Sequence, residues 1–207
     1  MSICFVYKIV NMGDLIRLSA PNTNLHFPPL ETARLLLRPI SDADSSFVVQ
    51  HFLNPNVQRY LYDEEPMTTP EHALAIIDFY TASPDAPYNR WVVVCKTDQQ
   101  PMGTCGFHKW SRPHRRAEIG YDLSPDYQGH GYMTEAVAAM IEHGFQRLNL
   151  YRIEALVAVE NERSLALLRR LGFQQEGLLR SYFWSNGQAY DHVLLSRLCS
   201  DTPTETP

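Results

Sequence analysis

The chain has 207 residues, with 18 Lys plus Arg against 23 Asp plus Glu and a formal net charge of −5, a length that suits one domain with short tails rather than two. Apolar residues make up 44%, aromatics 11% and charged residues 20%, enough to bury a core, which excludes the disordered and fibrous classes. The acidic balance argues against non-specific binding to nucleic acid or anionic membrane, so neither is expected as a partner, although 15 of the 18 cations are Arg, the better side chain for gripping phosphate.

The first ten residues, MSICFVYKIV, are apolar but carry no basic leader region and no small-residue cleavage site, and they are too short to span a bilayer. Neither secretion nor membrane anchoring is expected, and Met12 is a second possible start. Residues 19–29 and 199–207 are polar and Pro-rich, which predicts an irregular N-terminal arm over 1–29, a single domain over 30–198 and a flexible tail over 199–207.

Within that domain, Arg34–Arg38 reads as a strand that meets a capping-box variant at Ser41–Asp44. A helix with Phe47, Val48 and Phe52 inward follows and stops at Asn54-Pro55. Thr68–Glu71, with Pro70 in the first turn, opens a second helix carrying Leu74, Ile77 and Tyr80 on one stripe. Trp91–Lys96 and Met102–His108 flank a polar turn as an antiparallel hairpin, and Ala117–Leu123 is a further strand. After SPDYQGHGYMTEA comes a helix with Met133, Val137, Met140, Ile141, Gly144, Phe145 and Leu148 at three-and-four spacing, then a strand at Tyr151–Val159. Asn161 can cap a shorter helix with Leu165, Leu168 and Leu171 inward and Gly172 at its C′ position; two strands around Asn186-Gly187 close the chain. Strands at both ends with helices between them indicate a mixed α/β sheet covered by helices.

Cys4, Cys95, Cys105 and Cys199 are widely spread, without CxxC or zinc spacing, and read as free thiols of a cytoplasmic protein. None of the eight histidines forms HExxH or a His-x-His pair, so no metal is expected. There is no GxSxG elbow, and the basic stretch Arg112–Arg116 reads as a solvated hairpin loop.

Gly129 and Gly131 stand where a loop enters a helix, leaving first-turn N–H groups free to meet an anion with the helix dipole behind them. A tight turn without a ligand would explain two glycines alone, but Gln128, His130 and Thr134-Glu135 add polar groups beside a strongly amphipathic helix. A nicotinamide-dinucleotide fold is the competing reading, since a strand–loop–helix–strand unit is present and Glu154 and Glu160 follow. Against it, Thr134 replaces the third Gly or Ala, five residues separate Leu123 from Gly129, and only 76 follow Gly131. The GxxxxGK[ST] of a nucleotide triphosphatase is missing.

The loop Gln128-Gly-His-Gly131 resembles the coenzyme A pyrophosphate motif of the GNAT acyltransferases. From ETARLLLRPI through AEIGYDLSPDYQGHGYMTEA and NERSLALLRRLGFQQEG to DHVLLSRL, about residues 31–198, the chain is similar to the ribosomal-protein-alanine N-acetyltransferase (RimJ/RimL-like) branch. That resemblance implies a GNAT-like mixed, mostly antiparallel central sheet, splayed in the middle and flanked by helices, with pantetheine slotted between two parallel strands. It implies acetyl-CoA as cosubstrate, the backbone of Leu123 against pantetheine, Gln128 in the motif, and the N–H groups of Gly129, His130, Gly131, Tyr132, Met133 and Thr134 on the pyrophosphate. Asn161 is expected to touch pantetheine or to act as a plain N-cap.

Many members of the family carry Tyr where this chain has Leu168, so the acid that protonates the departing thiolate must be Ser164, or water, or be missing. Ser164 is also explained as an ordinary first-turn serine. Glu118 can accept the amine proton through water, with an exposed strand carboxylate as the plainer reading; it shares a strand face with Asp122 and not with Leu123. Tyr182, Trp184 and Asp191 are expected at an acceptor wall or, equally, as core aromatics and a turn-side carboxylate. The reading is an N-acetyltransferase acting on a primary amine, either a protein N-terminal α-amino group or a small-molecule amine, by direct attack in a ternary complex, as a monomer or homodimer. A peptide α-amino group titrates near ~8 and lysine near ~10.4, so an N-terminal acceptor needs less help from a base. A non-catalytic CoA-binding module is the alternative that Leu168 favours.

Overall fold

The structure is a computed structural model and describes residues 2–3, 26–62 and 66–201. Chain order runs β1 (Ser2–Ile3), β2 (Leu30–Glu31), β3 (Leu35–Pro39), α1 (Ser45–Phe52), α2 (Pro55–Gln58), α3 (Pro70–Thr81), β4 (Trp91–Cys95), β5 (Pro101–Ser111), β6 (Arg116–Leu123), α4 (Tyr132–Gln146), β7 (Arg152–Ala158), α5 (Glu162–Arg170), β8 (Gln174–Ser185) and β9 (Gln188–Leu198). One sheet orders the strands β2-β3-β4-β5-β6-β7-β9-β8, with β1 added to β6. Only β6 and β7 pair in parallel among the described residues. The expected mixed, mostly antiparallel GNAT-like sheet is therefore what forms. A doubly wound parallel sheet is not, which removes the nicotinamide-dinucleotide reading.

Strand alternation divides the core between the two faces of this sheet. On one, Ile119, Tyr121 and Leu123 of β6 and Ile153, Ala155 and Val157 of β7 pack with Met133, Val137 and Met140 of α4 and Leu165, Leu167 and Leu168 of α5. On the other, Val92 and Val94 of β4 pack with Val48 and Phe52 of α1 and Ala73, Ile76 and Ile77 of α3.

What positions a site is the register between β6 and β7. Their parallel pairing covers Arg116↔Arg152, Ala117↔Ile153 and Glu118↔Glu154 and then stops, although β6 continues to Leu123 and β7 to Ala158. The two strands splay there. β5 still pairs with β6 through Gly103↔Leu123, so the other edge of β6, released by β7, faces the gap. Strand β1 pairs with that edge, Ser2↔Asp122 and Ile3↔Tyr121.

Several boundaries differ from expectation. The helix foreseen after Ser41 opens as a 3-10 turn over Asp42–Asp44 before α1, with the Asp44 carboxylate accepting from the Ser41 N–H at 2.9 Å. The first helix does end before Asn54-Pro55 as expected, but a short α2 follows at once, its Asn54 cap accepting from the Asn56 N–H. The arm is not irregular throughout, because Ser2–Ile3 adopt strand structure. Nor does the folded unit wait for residue 30: Phe27 is buried against Trp91, Phe107 and Trp110, and the Trp91 indole donates to the Pro28 carbonyl at 3.0 Å. Cys4 and residues 202–207 lie outside the described residues; Cys95, Cys105 and Cys199 are free thiols.

Candidate active site

The splay opens into a cleft of about 920 Å³. Of the residues expected at a coenzyme A site, Leu123, Gln128, Gly129, Gly131, Tyr132, Met133, Thr134 and Asn161 line it, and His130 does not. Gly129 and Gly131 sit at φ +84° and +77°, the left-handed region that a Cβ disfavours; open space surrounds both, with nothing nearer than the Arg34 guanidinium at 3.6 Å from a Cβ on Gly131. Conformation, then, is what requires glycine there. Gly131 is the N-cap of α4, and its first intrahelical bond is from the Glu135 N–H to the Gly131 carbonyl at 3.1 Å. The preceding N–H groups of Tyr132, Met133 and Thr134 have no carbonyl behind them and project into the cleft mouth.

Leu123 contributes backbone. The Ser124 N–H donates to the Met102 carbonyl at 2.8 Å, so by antiparallel alternation the N–H and C=O of Leu123, and likewise of Tyr121, point away from β5 toward the gap. Gln128 Nε2 donates to the Leu123 carbonyl at 3.0 Å, tying the glycine loop to the end of β6. The edge of β6 at Leu123, which β7 has left and β1 meets only at Tyr121 and Asp122, a helix N-terminus and a loop of positive-φ glycines together suit an extended amide-bearing arm ending in a pyrophosphate. The residues present fit acetyl-CoA.

Cations that the sequence reading did not single out surround this cradle. Arg59, Arg163 and Arg170 line the cleft, and Arg163 donates to Gln128 Oε1 at 2.5 Å. Arg34 donates to the His130 carbonyl at 3.0 Å, pairs with Glu135 at 2.6 Å, and lies 4.5 Å over the Tyr132 ring. Burial pushes the Glu135 carboxyl up, but bonds from Thr32 and Arg34 outweigh it and hold it below its ordinary range. Arg34 precedes β3, Arg59 follows α2, and Arg163 and Arg170 stand at the two ends of α5, so no local motif announces them as a set.

On the helix side, Asn161 is buried and its Oδ1 accepts from the Ser164 N–H at 3.3 Å, so it caps α5 while also lining the cleft. Ser164 is fully buried and its hydroxyl has no hydrogen-bond partner among the described residues. Leu168 is fully buried in the core and offers no proton.

The opposite face of β6 carries the polar chemistry. Glu118 is 5% exposed, which corrects the expectation of an exposed carboxylate; Lys109 pairs with Oε2 at 3.1 Å and Oε1 has no partner among the described residues. Burial pushes its carboxyl up to about 7 against the pull of Lys109. Asp122, on the same face, is fully buried between the His51 ring at 2.5 Å and the Arg90 guanidinium at 3.0 Å, with Thr104 donating its hydroxyl at 2.6 Å. Burial pushes Asp122 up, but these partners outweigh it and keep it below its usual range. His51 Nδ1 lies 2.8 Å from Ser124 Oγ, so a Ser–His–Asp chain does exist, fastening α1 to the end of β6. Asp122 is saturated by its donors.

Beyond Ala158 of β7, whose register partner on β9 is His192, the rings of Tyr62 and Tyr190 stack at 3.8 Å and those of Tyr62, Tyr182 and Phe183 surround His192. Burial pushes the His192 imidazole down, offset by the Tyr190 carbonyl, Glu160 and Asp191. Of the expected wall residues, Tyr182 joins this cluster, Asp191 accepts from the Ser181 N–H at 2.7 Å, and Trp184 is 72% exposed rather than a core aromatic. No group of three or more potential metal ligands occurs among the described residues, and no helix there is long and apolar enough to cross a membrane.

Comparison with known proteins converges on one family. Residues 34–174 match the model described as "Acetyltransferase (GNAT) domain". Over 166 residues the chain is 40% identical to the uncharacterized N-acetyltransferase YoaA of Bacillus subtilis, covering 80% of this chain and 93% of that protein. It is 29% identical over 187 residues to the [ribosomal protein uS5]-alanine N-acetyltransferase of Escherichia coli, covering 86% and 93%. The spermidine N-acetyltransferase of Vibrio cholerae, solved in complex with CoA and spermine, superposes with a TM-score of 0.73 at 27% identity, covering 82% of this chain and 98% of that one.

Proposed function

The chain belongs to the GNAT acetyltransferase family and is an acetyl-CoA-dependent N-acetyltransferase, and from that premise we propose how it binds and which amine it serves. The pyrophosphate of acetyl-CoA lies on the N–H groups of Gly129 to Thr134, pantetheine runs along the free edge of β6 at Leu123, and the Leu123 amide holds the thioester oxygen as negative charge develops there. The observation that carries this reading is the continuity of the cleft from the positive-φ glycine loop to the open edge of β6. The acceptor is a primary amine entering from the opposite face, past Tyr62, Tyr190 and His192. Glu118 takes its proton through water and the amine attacks directly, with no acyl-enzyme. Both a protein N-terminus and a small polyamine suit a wall of rings bordered by Glu160 and Asp191. The RimJ/RimL-like branch and a cytoplasmic location are part of this proposal.

The test is a thermal shift with acetyl-CoA beside NAD and NADPH, followed by an amine screen that reads release of the CoA thiol. Stabilisation by acetyl-CoA alone is expected, because a ligand bound only to the folded state raises its stability by mass action. Gly131→Glu, placing a strained carboxylate at the pyrophosphate, should fold and lose that shift. A shift from NAD or NADPH without one from acetyl-CoA would overturn the assignment.

A further inference from the structure

The glycine loop has no local reason to keep its backbone orientation. Turning the His130–Gly131 peptide over changes mainly ψ of His130 and φ of Gly131, and glycine accepts either sign of φ. A planar trans peptide carries its C=O and its N–H on opposite sides. In one orientation, then, the loop offers the Gly131 N–H to an anion in the cleft; in the other it offers the His130 carbonyl, which repels one. The orientation adopted has the His130 carbonyl accepting from Arg34 Nη1 at 3.0 Å. Gly131 lines the cleft, whereas His130 and Arg34 stand outside it, so a carbonyl turned out to Arg34 leaves the N–H turned in.

Arg34 is itself placed by groups outside the loop. It immediately precedes β3; its backbone N–H donates to Glu135 Oε1 at 2.9 Å and its Nε to Oε2 at 2.6 Å. Thr32 adds its hydroxyl to Oε1 at 2.6 Å, and the guanidinium lies 4.5 Å over the Tyr132 ring. The Lys96 N–H donates to the Arg34 carbonyl at 2.9 Å, which ties the segment to the end of β4. Glu135 stands in the first turn of α4, where its charge alone would oppose a pyrophosphate. Its place is explained by the cation it carries.

We propose that Arg34 is the positioning residue of the pyrophosphate loop: it holds the His130–Gly131 peptide with the N–H toward the cleft, and Glu135 with Thr32 holds Arg34. The inference rests on the acetyl-CoA placement proposed above. Positioning and plain charge attraction part company at Glu135. Were Arg34 only a nearby cation, removing the Glu135 charge would improve binding of a polyanion. With Glu135 as the anchor of Arg34, removing that charge weakens binding, because the peptide is free to turn and only the fraction of protein with the N–H inward is competent.

The test is calorimetry of acetyl-CoA and of acetyl-pantetheine, which has the thioester and amides but no phosphate, on wild type, Arg34→Ala, Arg34→Lys and Glu135→Gln. Arg34→Ala should weaken acetyl-CoA by about 10-fold or more and leave acetyl-pantetheine unchanged, and in turnover the loss should appear in KM rather than kcat. Glu135→Gln should also weaken acetyl-CoA, and adding it to Arg34→Ala should cost little more, since the two act as one unit. Arg34→Lys keeps the charge without the planar fork that reaches both Glu135 and the His130 carbonyl, so it should stay nearer to Arg34→Ala than to wild type. The pair is partly exposed, so Tm without ligand should fall by no more than about 2–4 °C. Acetyl-CoA bound by Glu135→Gln as tightly as by wild type or more so, or full affinity in Arg34→Lys, would overturn the positioning role and leave Arg34 a simple cation. Equal losses for both ligands would overturn it as well, because the damage would then not be confined to the phosphate end. Should Arg34→Ala fail to fold, Glu135→Gln and Arg34→Lys decide. Wild-type protein that binds acetyl-pantetheine as tightly as acetyl-CoA, or binds neither, would instead remove the placement beneath the inference.

Discussion

Glu118 and Asp122 share one face of β6, and their surroundings drive them in opposite directions. Asp122 has four donors, from His51, Arg90 and both the N–H and hydroxyl of Thr104, and stays ionised, whereas Glu118 has one ion-pair partner, Lys109, and a bare Oε1. With its carboxyl near 7, Glu118 holds its proton more tightly in the folded protein than in the unfolded chain. Its contribution to stability is therefore full below about pH 4.5 and fades as pH rises through about 7. Proton acceptance runs the other way, so kcat/KM should climb through about pH 7 and level above it. Glu118→Gln should flatten both curves; an unchanged acidic limb in the pH–rate profile would remove Glu118 from the reaction. His51 provides the contrasting case. His51→Ala strips one partner from a buried ion cluster and should cost about 3–5 kcal/mol in a urea melt, whereas the exposed pair Lys96–Glu31 should be worth under about 1 kcal/mol.

At the scale of elements, the strand that ends the splay has one free edge and two claimants for it. β1 pairs with Tyr121 and Asp122 on the edge where Leu123 presents its amide to the cleft, so the arm and an extended ligand compete. A chain beginning at Met12 should bind acetyl-CoA more tightly, because the fraction of binding-competent protein rises; equal half-saturation in calorimetry with and without residues 1–11 would show that β1 yields at no cost. Most elements could be read from local signals: within the Thr68–Glu71 signal it is Thr69 that caps α3 by accepting from the His72 N–H, Asn161 caps α5 by accepting from the Ser164 N–H, and Asn186-Gly187, both at positive φ, turn the final hairpin. What could not be read depends on contacts distant in sequence. Phe27 enters the core only because β4 and β5 present Trp91, Phe107 and Trp110 to it, and Glu118 is covered by residues from other strands. The glycine loop and Leu123 were legible because backbone geometry carries their role.

Across the whole molecule, a formal charge of −5 coexists with a cleft bearing Arg59, Arg163 and Arg170 and flanked by Arg34. Net charge therefore repels a polyanionic cosubstrate at long range while the cleft attracts it at close quarters. The two act over different distances. Exposed charges beyond about 8–10 Å are screened at physiological salt, and those nearer a bound phosphate are screened less. Acetyl-CoA affinity should fall as salt is raised, since the guanidinium–phosphate attraction outweighs the diffuse repulsion once the ligand is seated. Acetyl-pantetheine, which keeps the thioester and amides but has no phosphate, should bind more weakly and with little response to salt, because only the strand edge at Leu123 holds it. Arg163→Glu should reduce acetyl-CoA affinity and its salt dependence together while leaving acetyl-pantetheine untouched. Calorimetry of both ligands at low and high salt decides the matter. Parallel salt responses would mean that the phosphates do not rest on this cradle, and the arginines would then owe their place to Gln128, Glu135 and the His130 carbonyl alone.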